Sequence, residues 1–337
     1  MILMVRDLRI DFLRSIAILF MVEVHIAATI APENIAKGSS LGLLSASIGG
    51  LAAPLFVMIA GWGAAKSSNN GIWLRFSFLM LAQLLVNLIA SHVFNWYTPG
   101  ILSLLAVCGL VSPMLRRINA RNLKISFAFL LVLPFFLYRI DGTWTSVITA
   151  DGIIEWLKLL LIDGTYPLIP WLAFFVLGFI VAQNQQKHIL ATTSILSLII
   201  ALYALEKNLA WALTSGDALL TFFPASSFFI INATFGILLL HSLLAKLKDE
   251  FFSSTVSLSF ARTGKLSLTI YILHFIPIRY LDLIDYHGST ITLTFVLILV
   301  YCLVWWVFSH LQSKYFSKFS AEHLLKFLSD KYNPVTD

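Results

Sequence analysis

The fold is indicated most clearly by Arg9–Ala31, R-I-D-F-L-R-S-I-A-I-L-F-M-V-E-V-H-I-A-A-T-I-A. Its length and apolar character predict a membrane-spanning helix, which needs about 17–25 mostly apolar residues. It nevertheless carries four ionisable side chains: Asp11, Arg14, Glu23 and His25. Because ionisable groups are costly in hydrocarbon, this helix is expected to turn its polar side toward protein or a water-filled cavity.

The spacing of these side chains predicts a polar stripe along the helix. Asp11 and Arg14 are three residues apart and are therefore neighbours on one face. Arg14 and His25 share a face, since the interval between them is about three turns, or about 16 Å along the axis. Glu23 points to nearly the opposite side, where a contact with another helix is expected. The remaining helices are predicted to pack around the stripe.

The composition is that of a membrane protein. The 337 residues are 59% hydrophobic and only 12% charged, with a mean hydropathy of +0.87. Soluble domains carry about 25% charged residues. The formal net charge is +6, and the basic residues lie between the apolar runs. Positively charged cytoplasmic loops account for this distribution, so no nucleic-acid partner is implied. Cys108 and Cys302 lie within apolar runs and predict neither a disulfide nor a metal site.

Ten apolar runs are long enough to be predicted as spans. They are 10–31, 43–65, 73–94, 99–115, 123–138, 165–184, 189–205, 218–244, 266–285 and 290–311. The fifth run is short and contains Pro134. The segment Asp151–Asp163 is rich in Leu and Ile but also contains Glu155 and Lys158, so it is predicted to lie along the outer interface as an amphipathic helix. If it crossed the membrane instead, every later loop would change sides.

The distribution of positive charge predicts the topology. With the N-terminus in the cytoplasm, 17 of the 23 Lys and Arg residues fall on the cytoplasmic side and five on the other, with Arg14 inside the membrane. This bias favours an all-α polytopic fold of about ten transmembrane helices with both termini cytoplasmic. Residues 1–312 would form the transmembrane domain, and residues 313–337 a short basic tail with an amphipathic helix on the inner leaflet. The first run lacks a cleavage site and is expected to be retained, in a multi-pass protein of the plasma membrane.

This topology separates two groups of candidate site residues. Groups suited to acid–base chemistry are predicted toward the outer side: His25, Asp163 and His274. A mostly basic group is predicted near the cytoplasm: Arg14, Asp11, Arg75 and Lys265. The basic group suits a polyanionic donor such as acyl-CoA, whose pantetheine arm could follow the polar stripe. A neutral imidazole near the thioester could then take a proton from an attacking hydroxyl or amine.

Several patches of the sequence resemble known membrane acyltransferases. Arg9–His25 resembles the opening helix of membrane-bound acyltransferases such as the acyltransferase-3 family, and L-A-A-P-L-F-V-M-I-A-G (51–61) resembles their second helix. T-Y-P-L-I-P-W-L-A-F-F-V-L-G (165–178) and G-K-L-S-L-T-I-Y-I-L-H (264–274) resemble heparan-α-glucosaminide N-acetyltransferase relatives. The resemblance implies transfer of an acyl group, expected to be acetyl, from cytoplasmic acyl-CoA (acetyl-CoA). The implied acceptor is a hydroxyl or amine of an extracytoplasmic or lipid-linked glycan.

The resemblance also implies roles for single residues. Arg14 matches an arginine linked to acyl-CoA handling, and His25 matches the essential histidine of the acyltransferase-3 motif. Asp163 and His274 match recurrent positions more loosely. Heparan-type relatives usually have Asn at the position of His25 and a histidine in the following outer loop, whereas this chain has no histidine between Ile26 and Ser91. Either His25 has taken over that role, or the acceptor chemistry differs.

Other interpretations of the same residues remain open at the level of sequence. Asp11 and Arg14 could be an ion pair at the headgroups, and His25 could be a packed histidine bonded to a backbone carbonyl. The chain could be a secondary transporter that uses its intramembrane charges, or a scaffold without catalysis. The sequence does not decide between direct transfer and an acyl-enzyme at His25, nor does it identify the acceptor, the acyl length or a homodimer.

Overall fold

The computed structural model describes residues 7–32, 40–67, 70–137, 143–209, 212–215, 218–288 and 290–332. Helices dominate these ranges, which confirms the all-α prediction. They are α1 (Leu8–Ile30), α2 (Ser40–Lys66), α3 (Ile72–Ile89), α4 (Ile101–Arg117), α5 (Ala120–Val132), α6 (Trp144–Ile148), α7 (Ile153–Lys158), α8 (Leu168–Ala182), α9 (Lys187–Glu206), α10 (Ser227–Ala245), α11 (Asp249–Ser253), α12 (Thr255–Lys265), α13 (Ser267–Leu273), α14 (Phe275–Leu283), α15 (Ile291–Tyr315) and α16 (Ala321–Tyr332). Two short strands, β1 (Ala212–Ser215) and β2 (Leu220–Phe223), pair in parallel.

The described ranges contain six helices long and apolar enough to cross a membrane, so the chain is a multi-pass membrane protein. These helices are α1, α2 from Leu44, α3, α9, α10 and α15. Two bent pairs raise the number to as many as eight: residues 153–163 with α8, at 44°, and α12 with residues 267–283, at 62°. Six to eight candidate spans therefore stand against the ten predicted.

The two predicted spans outside this set are the runs 99–115 and 123–138. The first folds as α4, which has 17 residues, and the second as α5, which has only 13. After α5 a short 3-10 turn, Leu133–Phe135, contains Pro134. Proline has no N–H to donate and its ring clashes with the preceding turn, which favours the end of α5 here, although α2 and α4 continue through Pro54 and Pro113.

The predicted eighth span, 218–244, also begins later than expected. Its first residues form β2, with Thr221 opposite Leu213 of β1. Ser226 then precedes α10, and its Oγ accepts a hydrogen bond from the backbone N–H of Phe229 at 3.0 Å. A serine hydroxyl that satisfies an N–H in the first turn favours a helix start at this point. The run therefore divides into a strand, a turn and a shorter helix.

The segment Asp151–Asp163, predicted as an interfacial helix, is part of one of the bent pairs. It forms α7, followed by a π-helical turn over Leu159–Asp163. Ile153 and Ile154 in α7 are each 70% exposed, whereas Leu159 and Leu160 in the turn are buried. The segment therefore packs against the protein at its C-terminal end and lies outside the core at its N-terminal end.

Contacts divide the chain into two compact units, Met1–Phe56 with Leu240–Leu328, and Val57–Leu239 with Ser329–Asp337. In the first unit α1 packs against α11, α12, α13, α14 and α15. In the most apolar 18-residue stretch of α1, 56% of the residues are buried, against 17% in the corresponding stretch of α15. The helix α1 is therefore the most enclosed of the six candidate spans. This burial agrees with the prediction that other helices pack around it.

In the second unit, α2 and α8 cross at two glycines. A Cβ atom at Gly61 would overlap the backbone of Phe175, and one at Gly178 would overlap the backbone of Met58. The two helix backbones therefore approach as closely as glycine allows, which is typical of helix packing in membranes. Trp171 and Phe174 of α8 are fully buried beside this crossing.

Replacing Gly178 by Val should destabilise the protein, because the added side chain would force these backbones apart. Overpacking of this kind costs about 1–3 kcal/mol. The thermal unfolding midpoint in one detergent measures the effect. Gly63→Ala is the matched control, since a Cβ at Gly63 meets nothing within 4 Å. Equal midpoints for Gly178→Val and the wild type would show that the helices do not cross at these glycines.

Candidate active site

The site in the first unit begins where α1 crosses α12 at Ser15. Ser15 is fully buried, and its Oγ lies 2.8 Å from the carbonyl oxygen of Phe260 and 2.9 Å from the backbone nitrogen of Gly264. In a regular α-helix these two backbone groups would bond to each other. The hydroxyl lies within bonding distance of both, so it can accept from the N–H of Gly264 and donate to the carbonyl of Phe260.

A side chain inserted into a helical hydrogen-bond ladder is a recognised cause of kinks. The chain bends by 62° at the end of α12, directly after Gly264 and Lys265. A Cβ atom at Gly264 would overlap the backbone of Asp11 and the side chain of Ser15, so glycine is required for this approach. Ser15 and Gly264 thus allow α1 and α12 to approach closely just before the segment that leads to His274.

Three of the predicted donor-binding residues lie around this crossing. Asp11 is only 4% exposed, and its Oδ1 lies 3.4 Å from Nη1 of Arg14. The side chain of Arg14 is 30% exposed and can contact a further group. Lys265 follows Gly264 at the end of α12 and is exposed. The structure therefore gathers an acidic residue and two basic ones at one end of α1.

Farther along α1, the structure brings His25 and His274 together. Nδ1 of His25 lies 2.7 Å from Nε2 of His274, and the two ring planes differ by 13°. His274 is completely buried at the junction of α13 and α14, whereas His25 is half-buried. The ring of Phe275 packs 4.8 Å from that of His25 and 4.1 Å from that of His274, measured between centroids.

The hydrogen-bond partners determine which nitrogen carries each proton. Nδ1 of His274 lies 3.0 Å from the carbonyl oxygen of Ile270. A carbonyl can only accept, so this Nδ1 must donate, and Nε2 of a neutral His274 must accept. Nδ1 of His25 is then the donor to His274, which leaves the lone pair of a neutral His25 on Nε2. Within the described ranges no group hydrogen-bonds to that Nε2.

This chain of groups, His25 to His274 to the Ile270 carbonyl, has the form of a general base held by an orienting partner. In such an arrangement the partner selects the tautomer of the base and stabilises the charge that develops on it. His25 is half-buried and His274 is completely buried, so His25 is the member of the pair that a substrate could reach. The geometry therefore suits acceptance of a proton at Nε2 of His25.

A comparison with protein families decides what class of protein this is. Residues 6–212 match the family described as heparan-alpha-glucosaminide N-acetyltransferase, catalytic. The chain belongs to this family. A search of curated proteins returned no significant match.

The family match confirms the predicted resemblance and the membrane-acyltransferase class. It covers α1 with Arg14 and His25, and ends at residue 212, well before the segment that carries His274. The hydrogen-bond partner of His25 thus comes from outside the matched region. This chain has no histidine between Ile26 and Ser91, and His25 of α1 is paired with a second histidine, His274.

The structure adds a contact to the pair that sequence reasoning missed. The hydroxyl of Tyr301, in α15, donates to the carbonyl oxygen of His274 at 2.5 Å. This bond holds the backbone at the α13–α14 junction. Tyr301 lies in a continuous apolar run with no motif around it, so no sequence signal distinguished it from the other aromatic residues.

Glu23 occupies the opposite side of α1, as predicted. It is 8% exposed, and its Oε1 accepts a hydrogen bond of 2.7 Å from Oγ of Ser45 in α2. The expected contact between helices is therefore present, with a hydroxyl rather than a cation as the partner. Glu23 does not contact the histidine pair on the other face.

The last two predicted residues, Asp163 and Arg75, belong to the second unit. Asp163 is buried at the end of the π-helical turn, and the neighbouring Thr165 donates from Oγ1 to the carbonyl of Pro99 at 2.9 Å. Arg75 is exposed on α3. Their participation in one site with His25 stays a prediction. In the described ranges no cluster of His, Cys, Asp and Glu could hold a metal ion.

Replacing Ser15 by Ala should lower stability, because the Gly264 N–H and the Phe260 carbonyl would both lose a buried partner. An unsatisfied buried group costs about 1–3 kcal/mol. The measurement is the thermal unfolding midpoint, with Ser77→Ala, at an exposed serine of α3, as the control. If the midpoint of Ser15→Ala stayed at the wild-type value, the ladder of α12 would be complete without the hydroxyl.

Proposed function

We propose that this protein is an integral-membrane acetyltransferase that takes an acetyl group from acetyl-CoA. The acceptor is a hydroxyl or amine of an extracytoplasmic or lipid-linked glycan, and His25 is the general base. The observation that carries the proposal is the 2.7 Å hydrogen bond between His25 and His274, which leaves the lone pair of the half-buried His25 on Nε2. Membership of the acetyltransferase family supports the reaction class.

The reaction has a simple balance. Nε2 of His25 removes the proton of the acceptor as its oxygen or nitrogen attacks the thioester carbonyl carbon. The resulting tetrahedral intermediate collapses with cleavage of the carbon–sulfur bond. The departing thiolate of CoA takes the proton from His25, which yields the acetylated acceptor and CoA and returns His25 to its neutral form. General-base assistance of this kind contributes about 10²–10⁴-fold to a rate.

His274 assists through His25 and does not need to touch the substrate. When Nε2 of His25 gains a proton, the ring becomes a cation, and its Nδ1–H bond to His274 becomes charge-assisted and stronger. The bond from His274 to the Ile270 carbonyl keeps Nε2 of His274 available as the acceptor. The pair thus stabilises the imidazolium that forms during the attack.

The donor is proposed to bind with its phosphates at the Asp11 end of α1. Arg14 and Lys265 supply positive charge there, and Asp11 orients Arg14. Arg14 and His25 lie on one continuous helix, about 16 Å apart along its axis at 1.5 Å per residue. That distance is of the order of the pantetheine arm, so phosphates at Arg14 would allow the thioester to reach His25. Arg75 is proposed as a further donor contact and Asp163 as a further acid–base group.

We propose that the protein lies in the plasma membrane. Both termini would then be in the cytoplasm. The protein contains ten spans if α4 and α5 also cross, and the tail after residue 312 lies on the inner leaflet. A homodimer is compatible with the site, which uses residues of one chain. The transporter alternative gains no support from the family match.

Loss of either histidine should abolish or sharply reduce acetyl transfer without loss of donor binding. We expect His25→Ala to remove activity and His274→Gln to lower kcat by about 10²–10⁴-fold, since the base or its orientation is lost. The assay is transfer of radiolabelled acetyl groups by purified protein, with binding of CoA measured in parallel. His188→Gln, at an exposed histidine of α9, is the control. Normal turnover by His25→Ala would rule out the proposed base.

Arg14→Ala should weaken donor binding more than it affects the chemical step. Loss of one charge-assisted hydrogen bond of about 1.5–3 kcal/mol corresponds to a Kd for CoA raised about 10–150-fold. Isothermal titration calorimetry measures this change, and kcat at saturating acetyl-CoA should stay within a few-fold of wild type. Arg121→Ala, at an exposed arginine of α5, controls for net charge. An unchanged Kd would exclude Arg14 from the donor site.

A further inference from the structure

The first turn of α13 is capped by a residue from the C-terminal helix. Oε1 of Glu322, in α16, accepts hydrogen bonds from the backbone N–H groups of Leu268 at 2.7 Å and Thr269 at 3.1 Å. Its Oε2 accepts a bond from Oγ1 of Thr269 at 2.5 Å. Oγ1 of Thr269 in turn accepts from the backbone N–H of Ala321 at 2.9 Å. Four hydrogen bonds therefore join the start of α16 to the start of α13.

These bonds supply partners for backbone groups at the break between α12 and α13, at Leu266. The first N–H groups of any helix lack partners within the helix, and a buried N–H without a partner is costly. A carboxylate at this end also interacts favourably with the helix dipole. The residues just before α13 form α12, whose last turn is occupied by its contact with Ser15. A residue 54 positions away in sequence therefore supplies the cap.

The capped segment leads directly to the histidine pair. α13 contains only seven residues, and His274 follows it. The backbone N–H of Ile270 donates to Leu266, and that of His274 donates to Ile270, each at 2.9 Å. A continuous ladder of about two turns thus connects the N–H groups held by Glu322 to the ring that bonds His25. Any shift or rotation at the start of α13 is transmitted to His274, and a 2.7 Å hydrogen bond tolerates little displacement.

We propose that Glu322 is a positioning residue for the histidine pair: it fixes the start of α13 so that His274 holds the tautomer and orientation of His25. The inference rests on the proposed function for its catalytic consequence, while its structural part stands by itself. It assigns to the C-terminal helix a part in the active site, although that helix lies outside the region matched by the family.

The test uses full-length protein with Glu322→Ala, Glu322→Gln and the control Asp330→Ala, which removes an exposed acidic residue from the same helix. One readout is labelling of His274 by diethyl pyrocarbonate, followed by mass spectrometry, with the exposed His188 as internal reference. The other is acetyl transfer, resolved into kcat and KM for acetyl-CoA. Glutamine is the conservative variant, since its amide oxygen can accept both backbone N–H bonds and its NH₂ group can donate to Thr269.

We expect Glu322→Ala to raise the labelling rate of the buried His274 about tenfold and to lower kcat about tenfold or more, with KM within twofold of wild type. Glu322→Gln should recover most of both properties, and Asp330→Ala should match the wild type. A structural defect of the whole protein would raise labelling at many histidines and would change KM as well. The split between kcat and KM therefore separates positioning from general destabilisation.

Two results would overturn the inference: protection of His274 in Glu322→Ala equal to that in the wild type, or exposed His274 with an unchanged kcat. If the wild-type protein transferred no acetyl group, the proposed function would fail by itself. In that case the labelling of His274 in the three variants would still decide whether Glu322 fixes the histidine.

Discussion

The hydrogen bond between His25 and His274 joins the two sides of the candidate site. It requires that α1 be enclosed by other helices, because a lipid-facing imidazole would have no such partner. It also requires that His274 lie beside His25 along α1, with the Nδ1 of His274 hydrogen-bonded to the carbonyl of Ile270. The break at Leu266, the short helix α13 and the bond from Tyr301 together produce this placement.

A broken helix inside a membrane protein has a physical cost that the surrounding groups must offset. Every backbone N–H and carbonyl freed by the break needs a partner within the protein, since hydrocarbon offers none. Near this break, Ser15 engages two backbone groups of α12, and Glu322 engages two of α13. Polar side chains from α1 and α16 thus allow the chain to bend while remaining satisfied. The same bend brings His274 against α1.

In the proposed reaction, donor binding and proton transfer take place at different positions along α1. The basic residues and Asp11 gather near the crossing with α12, and the histidine pair lies about three turns away along the same helix. The continuous helix α1 sets this separation, which in the proposed reaction is the distance between phosphate binding and acyl transfer. The family match includes this helix but ends long before His274, so the pair combines a residue of the matched region with one outside it.

Helical period, composition and short motifs were sufficient to predict the helix face, the membrane class and the family. The period of a helix places Arg14 and His25 on one face and Glu23 on the other, and the structure agrees because α1 is uninterrupted. Apolar composition identified the membrane class, and the resemblance of four short patches identified the family. The run 218–244 shows where local reading fails, because a strand and a turn precede α10 within a uniformly apolar stretch.

The pairing of residues that are distant in sequence is visible only in the folded protein. His25 and His274 are separated by 249 positions, and Glu322 lies 53 positions from Thr269. Hydropathy and helical period describe neighbours within a few turns, whereas these pairs arise from how separate helices bend and pack. The tautomer of His25 follows in turn from the carbonyl of Ile270, a backbone group that every residue possesses and that no sequence pattern marks.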